Sequence, residues 1–162
     1  MREILFRGKR VDDGKFVYGY VGVFKGITQI YVPFTEEEEK ENEGHIFSAI
    51  GGLWHTVHHE TVGQFIGLTD RNGKRIFEGD LLNGFDYPFY RSESNEHNYF
   101  AEVVWFDDVC AFGLVTHKHP TSKVRGISAG NADFIEGFDP NEWEVIGNIY
   151  DNPELMGPKK GE

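Results

Sequence analysis

Hydrophobic and polar residues alternate along two short runs within the stretch from Glu60 to Leu82. Alternation with a period of two is typical of a β-strand with one buried face. Between the runs lies Asn72-Gly73, which predicts a tight hairpin turn with positive φ at both residues, and Asp70 is placed to hydrogen-bond forward into it. Gly79-Asp80 then interrupts the alternation, as expected where a strand bends or bulges. The stretch therefore predicts a β-hairpin at the centre of the chain.

The same pattern of alternation and turn residues predicts further strands on both sides of this hairpin. They are a hairpin from Arg2 to Tyr20 that turns at Asp12-Asp13-Gly14, two strands at Val21 to Phe24 and Gln29 to Val32 around Lys25-Gly26, a hairpin from Tyr99 to Thr116 that turns at Asp107-Asp108, and a closing strand from Trp143 to Tyr150. A proline near the start of Asp151 to Leu155 predicts a short turn or helical start there. Before the central hairpin, Trp54 and Val57 are the residues that we expect to be most buried. The chain is therefore predicted to be mainly β.

Polar stretches separate these elements. Thr35 to Gly44 carries a block of like charge, which predicts an exposed loop or a frayed helical turn. Asn83 to Asn98 mixes aromatic with polar residues, and such a long loop forms either a binding surface or a lid over the core. His117 to Asn131 is predicted to be another long loop, and the tail after Gly157 is expected to fray.

Composition and charge narrow the class of protein. Of the 162 residues, 39% are hydrophobic, 15% are aromatic and 20 are glycine, which suits many short strands joined by tight turns. The formal net charge of -11 argues against non-specific binding to nucleic acid and favours solubility or a basic partner. The single Cys110 excludes an intramolecular disulfide and indicates a reducing compartment. The chain shows neither a leader nor a long apolar run, so we expect a cytoplasmic protein that does not bind membranes.

Most motifs for catalysis or cofactor binding fail on their spacing. Gly8 to Lys15 and Gly67 to Lys74 resemble phosphate-binding loops, but each has one residue too many between its glycines and no Ser or Thr after the lysine. Asp70 to Gly73 resembles the middle of a calcium loop, yet Gly79 stands where the bidentate glutamate is needed. No Gly-x-Ser-x-Gly sequence occurs. We therefore predict no catalytic residue and no cofactor.

The histidines before the central hairpin are the one cluster of candidate metal ligands. On a strand, His55 and His59 would share a face while His58 points the other way. Two imidazoles spaced in this way could begin a zinc or iron site completed by an acidic residue or by His117 or His119. No third or fourth ligand can be named from the sequence, so the prediction is that the chain holds no metal.

The chain resembles one protein family at both ends and in the middle. The residues that carry the resemblance are Arg2-Glu3, Phe6 to Lys9, Gly14 to Gly19, Glu60 to Leu68, Gly73-Lys74, Ile76 to Asp80 and Glu144 to Leu155. Together they resemble the YopX family of phage and prophage proteins. The resemblance implies a small protein inside a bacterial host cell, with an SH3-type β-barrel in its C-terminal part and no established biochemical activity. His58-His59 departs from the family pattern before Glu-Thr-Val-Gly, which favours a local peculiarity over a shared active site.

Strand pattern and resemblance together predict the domain organisation. Residues 1–59 form an N-terminal β-hairpin and sheet extension with the acidic loop, residues 60–155 form a small SH3-type β-barrel, and residues 156–162 form a frayed tail. The turn at Asn72-Gly73, the bend at Gly79-Asp80 and the turn at Asp107-Asp108 supply the strongly bent strands that a small barrel needs.

Three functions from different classes are open. The favoured one is a phage- or prophage-encoded, noncatalytic module that binds a protein, with a basic partner suggested by the charge. The second is a metal-dependent hydrolase built on His55, His58 and His59. The third is a nucleic-acid-binding protein, which the net charge opposes but the short basic patches Arg7 to Arg10 and Arg71 to Arg75 support. Homo-oligomerisation is left open.

Overall fold

Antiparallel β-sheet dominates the computed structural model, which describes residues 3–44, 51–84, 99–117, 132–134 and 139–156. The strands of these residues form two sheets, one of six and one of five strands. The prediction of a mainly β protein is therefore confirmed, whereas no closed barrel is found in the described part of the chain. By its internal contacts the chain divides into two compact units, Met1–Phe65 and Ile66–Glu162.

The first unit is built from four strands and the beginning of a fifth. Their bounds are β1 Phe6–Lys9, β2 Phe16–Phe24, β3 Ile27–Pro33, β4 Gly52–Thr56 and β5 Gly63–Thr69, with the helix α1 at Glu36–Glu41 and a 3-10 turn at His59–Thr61. The strands pair in the order β4-β3-β2-β1-β5, and β5 continues into the second unit to pair with the next strand. An isolated bridge joins Arg10 to Val57, and the Val11 N–H donates to the Thr56 carbonyl at 3.1 Å. The ends of β1 and β4 are thereby brought together, so the sheet of this unit is strongly curled.

The turn at Lys25-Gly26 joins β2 to β3 with two residues. Both take positive φ, 49° and 79°, the conformation that matches the twist of a two-residue hairpin. The predicted break between Tyr20 and Val21 is wrong, because β2 runs unbroken. Its internal Gly19 serves a close approach, since a Cβ there would lie 2.0 Å from the Tyr31 carbonyl oxygen.

The predicted hairpin at Asn72-Gly73 is present between β5 and the strand that follows it. Gly73 has φ 79°, but Asn72 is not among the residues with positive φ, so that part of the prediction is wrong. The physical reason is a longer loop: the Asp70 N–H donates to the Lys74 carbonyl at 2.8 Å and the Gly73 N–H to the Asp70 carbonyl at 2.9 Å. Only the last residue inside such a loop needs the left-handed conformation.

The second unit contains the remaining strands. Their bounds are β6 Arg75–Phe77, β7 Asp80–Gly84, β8 Tyr99–Phe106, β9 Ala111–His117, β10 Ala132–Phe134 and β11 Trp143–Asn148, with 3-10 turns at Pro140–Glu142 and Pro153–Met156. The sheet order is β10-β9-β8-β7-β11. Gly79, with φ 78°, lies in the turn between β6 and β7, and the register of β11 shifts between Val145 and Gly147. The predicted bend at Gly79-Asp80, the turn after Phe106 and the closing strand are confirmed, with the strand ending at Asn148.

One hydrophobic cluster forms the core of the second unit. Its buried members are Ile66, Ile76, Leu82, Ala101, Val103, Leu114, Trp143 and Val145. Leu82 lies opposite both Ala101 and Val145 in the registers of the neighbouring strands. Because directly opposed residues share a face, the three strands β11, β7 and β8 present one continuous apolar surface to this cluster.

The acidic stretch folds as α1, one of the two alternatives that its sequence left open. Thr35 caps it with a capping box: the Glu38 N–H donates to the Thr35 hydroxyl at 3.3 Å and the Thr35 N–H to the Glu38 carboxylate at 2.8 Å. No residue of the helix is buried. No helix in the described ranges is long and apolar enough to cross a bilayer.

Several predictions concern residues outside those ranges. The aromatic loop Asn83 to Asn98 lies outside them from residue 85 onward, the loop His117 to Asn131 from residue 118 onward, and the tail after Gly157 lies outside them entirely.

Candidate functional site

Trp54 lies on the surface, contrary to the prediction that it is buried. Half of this residue is exposed, whereas Val57 is only 4% exposed as predicted. In the register of β3 and β4, Trp54 is opposite Tyr31 and the adjacent His55 is opposite Ile30, which is fully buried. Trp54 therefore projects from the face of the sheet that is opposite to the one that buries Ile30.

Three aromatic side chains form a row across this face. Tyr20 of β2 is opposite Tyr31 of β3, which in turn is opposite Trp54 of β4. The rings of Tyr31 and Trp54 have centroids 5.2 Å apart and an interplanar angle of 47°. We call Tyr20, Tyr31 and Trp54 the aromatic row.

Two of these rings pack against glycines on the same face of the sheet. A Cβ at Gly22 would lie 3.0 Å from the Trp54 ring, and a Cβ at Gly52 would lie 2.7 Å from the Tyr31 ring. Each ring therefore packs against a glycine of another strand, where there is no side chain. Trp54 is half exposed in this position.

Further large apolar residues extend the row along β2 and β3. Tyr18 and Phe24 are two and four residues from Tyr20 on the same strand face, and Ile27 is opposite Phe24. The exposed fractions are 48% for Tyr18, 53% for Tyr20, 69% for Phe24 and 52% for Ile27. We call these residues and the aromatic row together the aromatic face. About 100 Å² is exposed by each of Tyr18, Tyr20, Phe24, Ile27 and Trp54, so the area of the aromatic face is on the order of 500 Å².

Charged groups lie close to this surface. The Lys25 ammonium stands 5.5 Å from the centroid of the Phe24 ring. At the opposite end of β3 from Lys25, α1 begins three residues after the strand ends. The Phe34 N–H between the two elements donates to the Gly51 carbonyl at 2.8 Å. The segment that leads into α1 is therefore anchored where β3 ends and β4 begins, two residues along these strands from Tyr31 and Trp54.

The path of the chain separates the three histidines of the candidate metal site, His55, His58 and His59. β4 ends at Thr56, so the extended geometry that would align His55 with His59 does not continue. His59 instead shares a hydrogen bond of 2.9 Å between its Nδ1 and the Thr28 hydroxyl, and His58 Nδ1 lies 3.7 Å from a Glu60 carboxylate oxygen. No group of three or more potential metal ligands occurs among the described residues.

The fourth and fifth candidate ligands lie elsewhere in the chain. His117 pairs with Glu102 across β8 and β9, with 3.1 Å between Nε2 and a carboxylate oxygen, and His119 lies outside the described ranges. The absence of a metal site stays a prediction.

Two buried carboxylates accept hydrogen bonds from backbone N–H groups in ways that the sequence analysis missed, locally for Asp80 and over a long range for Asp70. Asp70 is 4% exposed; one oxygen accepts from the N–H groups of Asn72 and Lys74 at 2.8 and 2.9 Å, and the other accepts from the Val145 N–H at 2.9 Å. Asp80 is 1% exposed and accepts from the Phe77 N–H at 2.8 Å. Both carboxylates are occupied with holding the backbone, and for Asp70 the only sequence signal is its position before the turn.

The basic patch from Arg7 to Arg10 does not form an open cationic surface. Arg7 is 4% exposed, with its guanidinium carbon 4.9 Å from the centroid of the Phe16 ring. Arg10 hydrogen-bonds Asp12 through two guanidinium nitrogens and lies 3.5 Å from Asp13, and the bond from Arg10 lowers the pKa of the Asp12 carboxyl. The patch therefore offers little charge to nucleic-acid phosphates.

Comparison with known proteins gives one family. The family model described as YopX protein matches residues 5–157. No curated protein matches the chain significantly. Among solved structures, the crystal structure of protein EF1440 from Enterococcus faecalis is similar, with 18% sequence identity, coverage of 96% of this chain and 99% of that chain, and a TM-score of 0.44.

Proposed function

The chain belongs to the YopX family, and we propose that it is a noncatalytic module that binds another protein through the aromatic face. The observation that carries the proposal is the exposure of Tyr20, Phe24 and Trp54, each at least half exposed on one face of a single sheet. Contiguous apolar patches of several hundred Å² on a soluble protein are typical of interaction sites.

The composition of the aromatic face supports a protein as the partner. Tyrosine and tryptophan are enriched among the residues that contribute most to protein–protein affinity, because they bury a large area with few rotatable bonds. An exposed apolar area of about 500 Å² also suits the centre of a standard interface, which buries about 800 Å² on each partner. Polar residues at the rim then complete such an interface.

The two other functions have less support. A hydrolase needs a convergent set of ligands, and His59, His58 and His117 are engaged separately with Thr28, Glu60 and Glu102. Binding to duplex nucleic acid needs clustered open cations, and Arg7 and Arg10 are occupied within the protein. We expect no measurable affinity for generic duplex DNA at about 150 mM salt.

The setting of the protein belongs to the same proposal. We place it in the cytoplasm of a bacterial host cell, encoded by a phage or prophage, and we expect an SH3-type barrel in its C-terminal part. The family membership supports the setting, and the bend at Gly79-Asp80 supports the barrel.

Affinity capture from prophage-bearing cells tests the function. The wild-type chain is compared with a Tyr20→Ala/Trp54→Ala variant and with Trp105→Ala, which removes a tryptophan that is 40% exposed in the second unit. We expect one protein to copurify in constant proportion with the wild type and Trp105→Ala, and to be lost with the double variant. A partner that is retained by the double variant, or copurified nucleic acid that nuclease treatment removes, would contradict the proposal.

A further inference from the structure

We propose that the partner of the aromatic face is an extended, arginine-rich protein segment whose guanidinium groups stack on the aromatic row while its other cations pair with the carboxylates of α1. The inference rests on the proposed function, because it names the chemistry of the partner that binds there. Neither feature suffices alone: the aromatic row selects a planar cation, and α1 supplies the opposite charge.

The way in which the rings of the aromatic row pack on the sheet favours a planar cation as the bound group. The Trp54 ring lies against Gly22 and the Tyr31 ring against Gly52, so their positions are set before a partner arrives, and half of Trp54 is exposed. A guanidinium is planar and weakly hydrated, and it stacks on such a ring better than the compact, strongly hydrated ammonium of lysine does. Preorganised rings lose little conformational freedom when a partner binds.

Cations already contact aromatic rings on this side of the sheet. The Arg7 guanidinium carbon stands 4.9 Å and the Lys9 ammonium 5.8 Å from the centroid of the Phe16 ring, and Lys25 caps Phe24. Arg7 and Lys9 are opposite Tyr18 and Phe16 in the register of β1 and β2 and therefore share the face of Tyr20. The chain thus uses ring and cation pairs at both ends of β2, and the aromatic row repeats the same ring chemistry in the direction of β4.

Charge complementarity indicates where the remaining cations of the partner bind. α1 carries five glutamates and one lysine, all exposed, and the whole chain has a formal net charge of -11. Tyr31 and Glu36 are five residues apart, so their Cα atoms are separated by no more than about 17 Å. An extended partner segment of about five residues spans this distance. One arginine can therefore stack on the row while another cation reaches the helix.

Two other occupants fit less well. A second copy of this chain would bring its own acidic helix and its negative field to the interface, which opposes close association. A single-stranded nucleic acid would stack its bases on the same rings, but its phosphates would meet the carboxylates of α1. Both are outcomes that the following experiment distinguishes.

The test measures binding of the full chain to labelled peptides by fluorescence anisotropy at about 150 mM salt. The probe is a peptide of about twelve residues in which arginine alternates with serine, and its lysine–serine and glutamate–serine versions are the matched controls. We expect the arginine peptide to bind at least about threefold more tightly than the lysine peptide, and the glutamate peptide not to bind.

Variants separate stacking from charge. Trp54→Ala should weaken arginine-peptide binding about fivefold and remove the preference over lysine, whereas Trp54→Phe should restore most of both. Glu36→Gln/Glu37→Gln/Glu39→Gln should weaken both peptides alike and flatten the salt dependence. Trp105→Ala should change nothing, and circular dichroism verifies that every variant is folded.

Distinct results would overturn the inference. Equal affinity for the arginine and lysine peptides, or the same affinity in Trp54→Ala, would leave only non-specific charge attraction. Tighter binding of a single-stranded oligothymidine that depends on Trp54 would assign the face to nucleic acid, and dimerisation of the wild type that Trp54→Ala abolishes would assign it to a second copy. If cellular capture gives a Trp54-dependent protein but the arginine peptide does not bind, the inference fails while the proposed function stands.

Discussion

Removing the Asp70 carboxylate should destabilise the protein by about 3 kcal/mol. This side chain is 4% exposed and accepts three backbone N–H groups, from Asn72, Lys74 and Val145. A hydrogen bond to a charged group contributes about 1.5–3 kcal/mol, and the cost of burying the carboxylate offsets part of the sum. In Asp70→Ala the Val145 N–H also loses its acceptor inside the protein, which by itself costs about 1–3 kcal/mol.

A second variant isolates the long-range bond. Asp70→Asn keeps one oxygen, which can still accept the Asn72 and Lys74 N–H groups, but its amide nitrogen then faces the Val145 N–H as donor against donor. We expect this variant to lose about 2 kcal/mol. The matched control is Asp13→Ala, which removes an exposed carboxylate that accepts the Lys15 N–H at 3.0 Å and should cost less than about 1 kcal/mol.

Urea denaturation followed by circular dichroism gives the free energies of unfolding, provided that the slopes with denaturant agree between variants. Amide hydrogen exchange at Val145 reports directly on the lost bond and should accelerate in both Asp70 variants. If Asp70→Asn matched Asp13→Ala in stability and left the exchange protection of the Val145 amide unchanged, the hydrogen bond between the hairpin turn and β11 would be wrong.

Three further predictions address the turn, the helix and the histidines. Gly73→Val should lower the free energy of unfolding by about 1 kcal/mol or more in thermal denaturation, because no atom beyond its two chain neighbours lies within 4 Å of its Cβ position and the strain comes from φ 79° alone; an unchanged midpoint would refute the turn conformation. Hydrogen bonds from the Thr35 N–H and, to a smaller extent, from the Thr35 hydroxyl lower the pKa of the Glu38 carboxyl from 4.5. Their contribution to the stability of α1 is therefore present above pH 4.5 and is lost as the pH falls through the lower folded pKa. NMR titration should show the pKa of Glu38 moving part of the way back toward 4.5 in Thr35→Ala, which removes the hydroxyl and keeps the N–H; an unmoved value would contradict the bond from the hydroxyl to Glu38. Elemental analysis of protein prepared without an affinity tag should find no stoichiometric zinc or iron; about one metal per chain that is lost in His55→Ala would make the hydrolase the leading hypothesis.

The turns could be predicted from the sequence because their chemistry is local. Glycine at Gly14, Gly26, Gly73 and Gly79 sets the backbone conformation without reference to the rest of the chain, and all four glycines have positive φ. The exact turn type at Asn72 was missed, because the register of the two flanking strands decides how many residues the loop contains.

The long-range role of Asp70 could not be predicted. A carboxylate before a turn is expected to bond within it, and the N–H groups of Asn72 and Lys74 fulfil that expectation. The bond to Val145 joins residues 75 positions apart. Only the pairing of distant strands brings these residues together, so no local pattern reports it.

The sequence by itself determined most of the strands and the glycines of their turns, whereas only the tertiary structure decided which tryptophan is buried. Trp54 and Trp143 both lie over glycines in strands, Gly22 and Gly84 respectively, yet Trp54 is 50% exposed and Trp143 is 4% exposed. Alternation identifies the inner face of a strand only when the other face is polar. Around Trp54 both faces of the sheet carry large apolar residues, so the packing of Ile30 and Val57 into the curled interior decided that the aromatic row faces solvent.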